Sequence, residues 1–433
     1  MKSSPHTRLA AICAAATLLS SIPSTARAVT WDTGPAGAPA SAAGVWDVGT
    51  TANWTADAGV SKTTWSNGDT AAFTGTTYTV TTANNAALSA GGFTTVSGTA
   101  VTINAGTSST LTLTGATPTF SGAGSLILGI QVLGSNGLSS SMTALRFTTA
   151  AGYTGNTTLT GGQLTLQGSN LLSSSTQLIM SNSATVSAQG NQSIAGLTGG
   201  SSNTVRNTTA TNITLTITAG TNAFAGNLLE TSTGTLSLTN SGGTLALTGT
   251  NSYKGATIVS GGTLTLGSNL VNSSSVTVSG GTLTSTVTNV NLGLGAFSLT
   301  SGGTLSANGA SIGTFTLASG QNFTATLGTL NFTLGASNTS DQIIGSGLFN
   351  LSNLTLALNG TTSVAGSYTL FSGFTGNSVS GITITGLDPG FTGSLGTNGI
   401  LTVSAIPEPS TFAALLGAAA LGVAGLRRRQ TRA

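Results

Sequence analysis

One short pattern constrains this chain more than any other. Gly-Gly-x-Leu-x-Leu occupies 161–166, and it recurs at 242–247 and 261–266, with degenerate copies starting at Gly280 and Gly302. The last four starts are 19, 19 and 22 residues apart. Leu-x-Leu alternates with period 2, so both leucines face one side of a strand and the residue between them faces the other. Thr at the intervening and flanking positions is β-branched and favours strands. Paired glycines supply turn dihedrals that other residues resist. About 20 residues hold two or three short strands with their turns, the size of one rung of a parallel β-helix. A β-sandwich would show the same alternation. The near-constant spacing favours the solenoid, so the expected fold is all-β, a right-handed parallel β-helix with terminal caps.

The chain has 433 residues, of which 4% are charged, 5% aromatic and 38% hydrophobic, with 62 glycines. So few charges exclude a coiled coil and a charged disordered tail. So few aromatics argue against a conventional packed enzyme core.

Both ends read as signals. Lys2 and Arg8 precede the apolar run Leu9–Leu19, Pro23 interrupts it, and Ala26-Arg27-Ala28 fits a small-residue cleavage site. Residues 1–28 are therefore expected to be a secretory signal peptide for the Sec translocon, with Val29 as the first mature residue. At the other end, Pro407-Glu408-Pro409 leads into the apolar stretch Thr411–Leu426 and then Arg427, Arg428, Arg429 and Arg432. Sixteen helical residues span roughly 24 Å, short for a bilayer but workable with arginine snorkelling. The arginines predict that this end stays cytoplasmic.

Removing these ends changes the chemistry available. Between 29 and 405, four basic residues (Lys62, Arg146, Arg206, Lys254) meet seven acids, a net charge of −3. The apparent basicity belongs to the signals, and a nucleic-acid partner is not expected. His6 and Cys13, each the single residue of its type, lie in the signal. Without them the mature chain has no disulfides, zinc sites, Ser-His-Asp triad or thiol nucleophile. No cofactor or metal is expected. The remaining bases are scattered, and the acids are too far apart in sequence to suggest a two-carboxylate site.

Two family resemblances rest on these residues. Pro407-Glu408-Pro409, the apolar segment and the arginine cluster closely resemble the PEP-CTERM sorting signal. That resemblance implies a Gram-negative bacterium, processing by an exosortase-type enzyme, a transient inner-membrane anchor through the C-terminal helix, and an exopolysaccharide or biofilm setting. Leu245-Ala-Leu-Thr-Gly-Thr-Asn-Ser-Tyr253-Lys-Gly-Ala-Thr257, leading to Gly262-Thr-Leu-Thr-Leu266, resembles the autotransporter-associated β-strand repeat. Tyr153-Thr-Gly-Asn-Thr157 begins a partial copy 100 residues earlier. This second resemblance implies passenger-type β-helices on bacterial surface proteins. An autotransporter would end in a membrane β-barrel, and nothing here resembles one.

The division expected from sequence is a signal at 1–28, a Trp/Asp-rich cap at 29–85, repeats at 86–335, a C-terminal β cap at 336–405 and the sorting signal at 406–433. Trp31, Trp46, Trp54 and Trp65 fall in the first cap, with four of the seven mature acids. Trp46, Trp54, Trp65 and Asp69 are the candidate glycan-binding residues, since indole rings stack on sugars and carboxylates accept hydroxyl hydrogen bonds. The same tryptophans could instead fill the cap core. The expected role is an exported structural or adhesive rod, non-catalytic, at the cell surface or in the extracellular matrix, with exopolysaccharide as partner. The rivals are a passive surface-layer spacer, a sugar-active β-helix enzyme and a self-assembling fibril.

Overall fold

A computed structural model describes residues 26–309, 311–360, 364–407, 416–421 and 423. It is a β-solenoid of about 13 turns. Taken in chain order, the strands fall in a cycle of three, which gives the solenoid three faces. The first face is one 17-strand sheet that runs the length of the rod. Its pairings are parallel, except where the opening strand Ala28–Trp31 meets Trp54–Thr55 antiparallel. The second face holds nine strands, from Gly44–Trp46 to Asn227–Glu230, and four more from Asn289–Asn291 to Phe371–Ser372. The third holds three, from Ala87–Ala90 to Gln131–Leu133, and nine from Gln192–Ile194 to Ser378–Ser380.

The spacing seen in sequence is the inter-rung register. Thr244 pairs with Thr263, Thr263 with Thr282 and Thr282 with Thr304, so the steps of 19, 19 and 22 residues are single turns of the solenoid. Leu245, Leu264, Leu283, Leu305, Leu330 and Leu356 thereby stack into one column, each buried. Burying one leucine side chain contributes roughly 1.5–3 kcal/mol. The column repeats that gain at every turn.

The glycine pairs serve the same stacking. Gly243 and Gly262 take φ of +68° and +61°. A Cβ on Gly262 would lie 1.9 Å from the carbonyl oxygen of Gly243, one rung below. No side chain fits there, because the turns of successive rungs touch backbone to backbone.

The parallel ladders run on between the repeats and each of the expected caps. Thr77–Thr82 pairs with Ala100–Asn104 across 85/86, and Thr329–Leu334 pairs with Thr355–Gly360 across 335/336. Gly366–Thr369, which lies in the chain before the last strands of the solenoid, joins Ile400–Ala405 and Phe391–Leu395 in a small antiparallel sheet. Beside it, Val379, Ile382, Ile384, Leu387, Phe391 and Leu395 line a cleft of about 680 Å³. At the opposite end the solenoid is closed by aromatic side chains.

Among the described residues no helix is long and apolar enough to cross a membrane. Most of the apolar segment 411–426, expected to be a membrane-spanning helix, lies outside those residues.

Candidate functional site

The aromatic end holds the tryptophans named as candidate glycan-binding residues, and it holds them inside. Trp46 is 0% exposed, and Trp54 and Trp65 are 1% exposed. Their rings pack on one another and on Trp31. Trp54 and Trp65 lie 4.7 Å apart, Trp46 and Trp65 4.8 Å, and Trp31 and Trp54 5.1 Å. The cluster continues inward through Phe73, Phe93 and Phe120. Trp31 donates its indole N–H to the Ala42 carbonyl at 2.9 Å, and Trp65 donates to Asn67 at 3.3 Å. Each tryptophan buries about 150–250 Å², roughly 4–6 kcal/mol of transfer free energy as an upper bound. Geometry-specific ring pairing adds only about 0.5–1.5 kcal/mol. Core burial therefore outweighs exposure for sugar stacking, and these rings are the plug of the rod.

Asp69 is also tied inward. It accepts from the Arg27 backbone N–H at 3.2 Å and pairs with the Arg27 guanidinium at 3.5 Å. Nearby, Lys62 lies 2.8 Å from Asp32 and donates to its carbonyl at 2.5 Å. Burial pushes the Asp32 carboxyl up, but Lys62 and the N–H groups of Ala40 and Gly34 hold it below its ordinary value. Asp57 is held down to about 2 by hydrogen bonds from the Ser61 hydroxyl, the Ser61 N–H and Thr55.

Two further carboxylates support backbone. Glu230 accepts from the N–H groups of Leu236 at 2.9 Å and Lys254 at 2.6 Å. Asp341 is fully buried and accepts from the N–H groups of Gly313 and Thr333, both at 2.7 Å. Burial pushes its pKa up to about 6, against the pull of those two donors. No cluster of His, Cys, Asp and Glu suited to a metal ion occurs among the described residues.

Two features escaped the residue-by-residue reading. The first is the tyrosine of the longer repeat. Tyr253 and Thr257 share a hydrogen bond of 2.7 Å, and Tyr153 and Thr157 share one of 2.6 Å, all four groups buried. Thr257 also meets the Ser273 hydroxyl at 2.9 Å. The signal was present as Tyr-x-Gly-x-Thr, but spacing alone does not show that the ring turns inward. The second is the register of the outward threonines on the first face. Thr221, Thr244, Thr263, Thr282, Thr304, Thr329, Thr355 and Thr383 stand in register on eight successive strands, each on the solvent side. The next outward position along each strand carries Ala, Thr, Ser or Asn, so neither column bears a charge.

At the first terminal signal, Ala26 is exposed, Ala28 opens the first strand, and Val29 is buried within it. At the second, Pro407 is described, while Glu408, Pro409, Arg427, Arg428 and Arg429 lie outside the described residues.

Comparison with known families agrees with both resemblances. Residues 240–266 match the passenger-associated-transport-repeat family, and residues 405–429 match the PEP-CTERM protein-sorting motif. No curated protein and no solved structure matches the chain. The first match covers the tyrosine turn and the strands around it. The second covers Pro-Glu-Pro, the apolar segment and Arg427, Arg428 and Arg429. Together with the solenoid they mark an exported, surface-type β-helix protein whose sorting motif implies recognition by an exosortase-type system.

Proposed function

We propose that the mature chain is a non-catalytic rod that adheres to exopolysaccharide at the cell surface or in the extracellular matrix of a Gram-negative bacterium. On this reading the Sec translocon exports it, the C-terminal segment anchors it transiently in the inner membrane, and an exosortase-type enzyme processes it. The observation that carries the adhesive role is the threonine column. Parallel strands stand roughly 4.7–4.9 Å apart, so eight hydroxyls form an uncharged row along the rod. A hydroxyl both donates and accepts, which suits a polyhydroxylated chain laid along that row. Many weak hydrogen bonds in series give avidity without any single strong site.

The carboxylates favour this reading over a sugar-active enzyme. Glu230 accepts two backbone N–H groups on Oε1, while Asp341 spends both oxygens on backbone N–H groups and has no exposed surface. The test replaces Thr263, Thr282 and Thr304 together by Val, which keeps shape and β-branching. The wild-type protein should pull down exopolysaccharide from the producing cells, and the triple variant, with an unchanged thermal midpoint, should lose most of that binding. Equal retention by both proteins would remove the threonine face from the account. No retention by either would leave the passive spacer.

A further inference from the structure

The fold itself bears on where the signal peptide is cut. Arg27, although inside the cleavage pattern read from sequence, is built into the folded protein. Its carbonyl accepts from the Thr70 N–H at 2.8 Å, its own N–H donates to Asp69 at 3.2 Å, and its guanidinium reaches both Asp69 at 3.5 Å and the Thr63 hydroxyl at 3.4 Å. Ala28 then pairs with Thr70 in the parallel ladder of the first face. The Asp69 side chain is only 10% exposed. A chain beginning at Val29 would keep this carboxylate while losing every hydrogen bond and ion pair found for its side chain. Stripping the partner from a largely buried charge is strongly destabilising.

We propose that cleavage falls after Ala26, at Ser24-Thr25-Ala26, and that Arg27 is the first residue of the mature protein. The small residues Ser24 and Ala26 satisfy the same recognition pattern as Ala26 and Ala28. Hydrolysis of the Ala26–Arg27 peptide bond adds one water, leaves the carboxylate on Ala26 and frees the Arg27 nitrogen as an α-amine. That nitrogen already lies against Asp69. Protonated, it turns a neutral N–H bond into a charge-assisted one. The guanidinium holds the second oxygen, so Asp69 receives two positive groups from one residue. Export processing thus completes the N-terminal end of the rod: the cut creates the charge that fastens the first strand over the tryptophan plug.

This inference rests on the export reading, and one measurement separates the two. Intact mass and N-terminal sequencing of the protein recovered from surface and medium fractions should give Arg27 as the first residue. A Val29 start would overturn the inference while leaving export standing. Absence of the protein from both fractions, with an uncleaved chain starting at Met1 inside the cell, would overturn both. A second measurement tests the fastening. Two refolded proteins, one beginning at Arg27 and one at Val29, should differ in thermal midpoint, with the Arg27 form higher by several degrees. That gap should close when both also carry Asp69→Asn. An equal midpoint without the substitution would overturn the role given to Asp69.

Discussion

Asp341 is the buried acid on which pH acts most directly. Its carboxyl has no cation against it among the described residues, only the N–H groups of Gly313 and Thr333 and the Thr333 hydroxyl. Burial raises its pKa from 3.8 to about 6 in the folded chain. A raised carboxyl pKa means that the protonated form favours folding. The stability it contributes is complete below pH 3.8 and is lost as pH rises through 6, on the order of 3 kcal/mol in all. Asp32 acts in the opposite sense. Its lowered pKa contributes stability above the ordinary carboxylate range, and this is lost as pH falls. Between pH 4 and 7 the thermal midpoint of the wild type should therefore carry a downward component that Asp341→Asn removes. A variant with the same slope as wild type would show that Asp341 does not titrate in this window. Sequence placed this aspartate only within the C-terminal β cap. Its burial depends on Gly313 and Thr333, 28 and 8 residues away, which no local pattern reports.

The unit that repeats is a strand entered through a glycine turn, and its glycines separate two costs. Gly262 and Gly320 both adopt positive φ, +61° and +75°. A Cβ on Gly262 strikes the backbone of the rung below, whereas a Cβ on Gly320 meets nothing within 4 Å. Both Ala variants take on the strain of the left-handed backbone, about 1–2 kcal/mol. Only Gly262→Ala must also push two rungs apart. Its thermal midpoint should fall well below that of Gly320→Ala, and equal losses would contradict the close approach. The same element explains the tyrosines. Each tyrosine-bearing turn lies where a side face lacks a strand, and the ring enters the core to meet the threonine four residues on. Burial pushes both phenols far above their ordinary pKa, as expected for groups that act as uncharged fillers.

A solenoid is held together rung by rung, and this sets how it should come apart. Each turn rests on its two neighbours, so a defect at one end propagates only gradually. Trp54 lies at the centre of the N-terminal plug, packed against Trp31, Trp46, Trp65 and Phe73. Trp54→Ala should cost about 3–5 kcal/mol locally. Hydrogen exchange should then quicken across roughly residues 28–104, the strands stacked on the plug, while 244–330 keep wild-type protection. Uniform quickening along the whole chain would indicate a single cooperative unit. The two ion pairs found among the described residues, Arg27–Asp69 and Lys62–Asp32, lie at this same end. The end of the rod is thus sealed by aromatic burial and charge, and the middle by leucine stacking.

The sequence by itself determined the strand unit, the rungs of 19 to 22 residues in the Gly-Gly copies and the glycine pairs at their turns, because all three are local. Alternation, β-branching and positive φ act over a few residues and repeat at a visible period. It did not determine which face a given copy occupies. Gly161–Leu166 and Gly242–Leu247 share one pattern, yet Gln163–Leu166 lies on the second face and Thr244–Leu247 on the first. Thr157 and Thr257 are displaced likewise, to the first and third faces. The copies are alike as local structure and differ by a third of a turn, since any of the three faces presents the same ladder to a Leu-x-Leu strand. Only stacking on the rung below selects one. The same holds for the tryptophans, whose identity allowed a sugar platform or a core. Their mutual packing decided for the core, because the area they remove from water together exceeds what any exposed ring could gain.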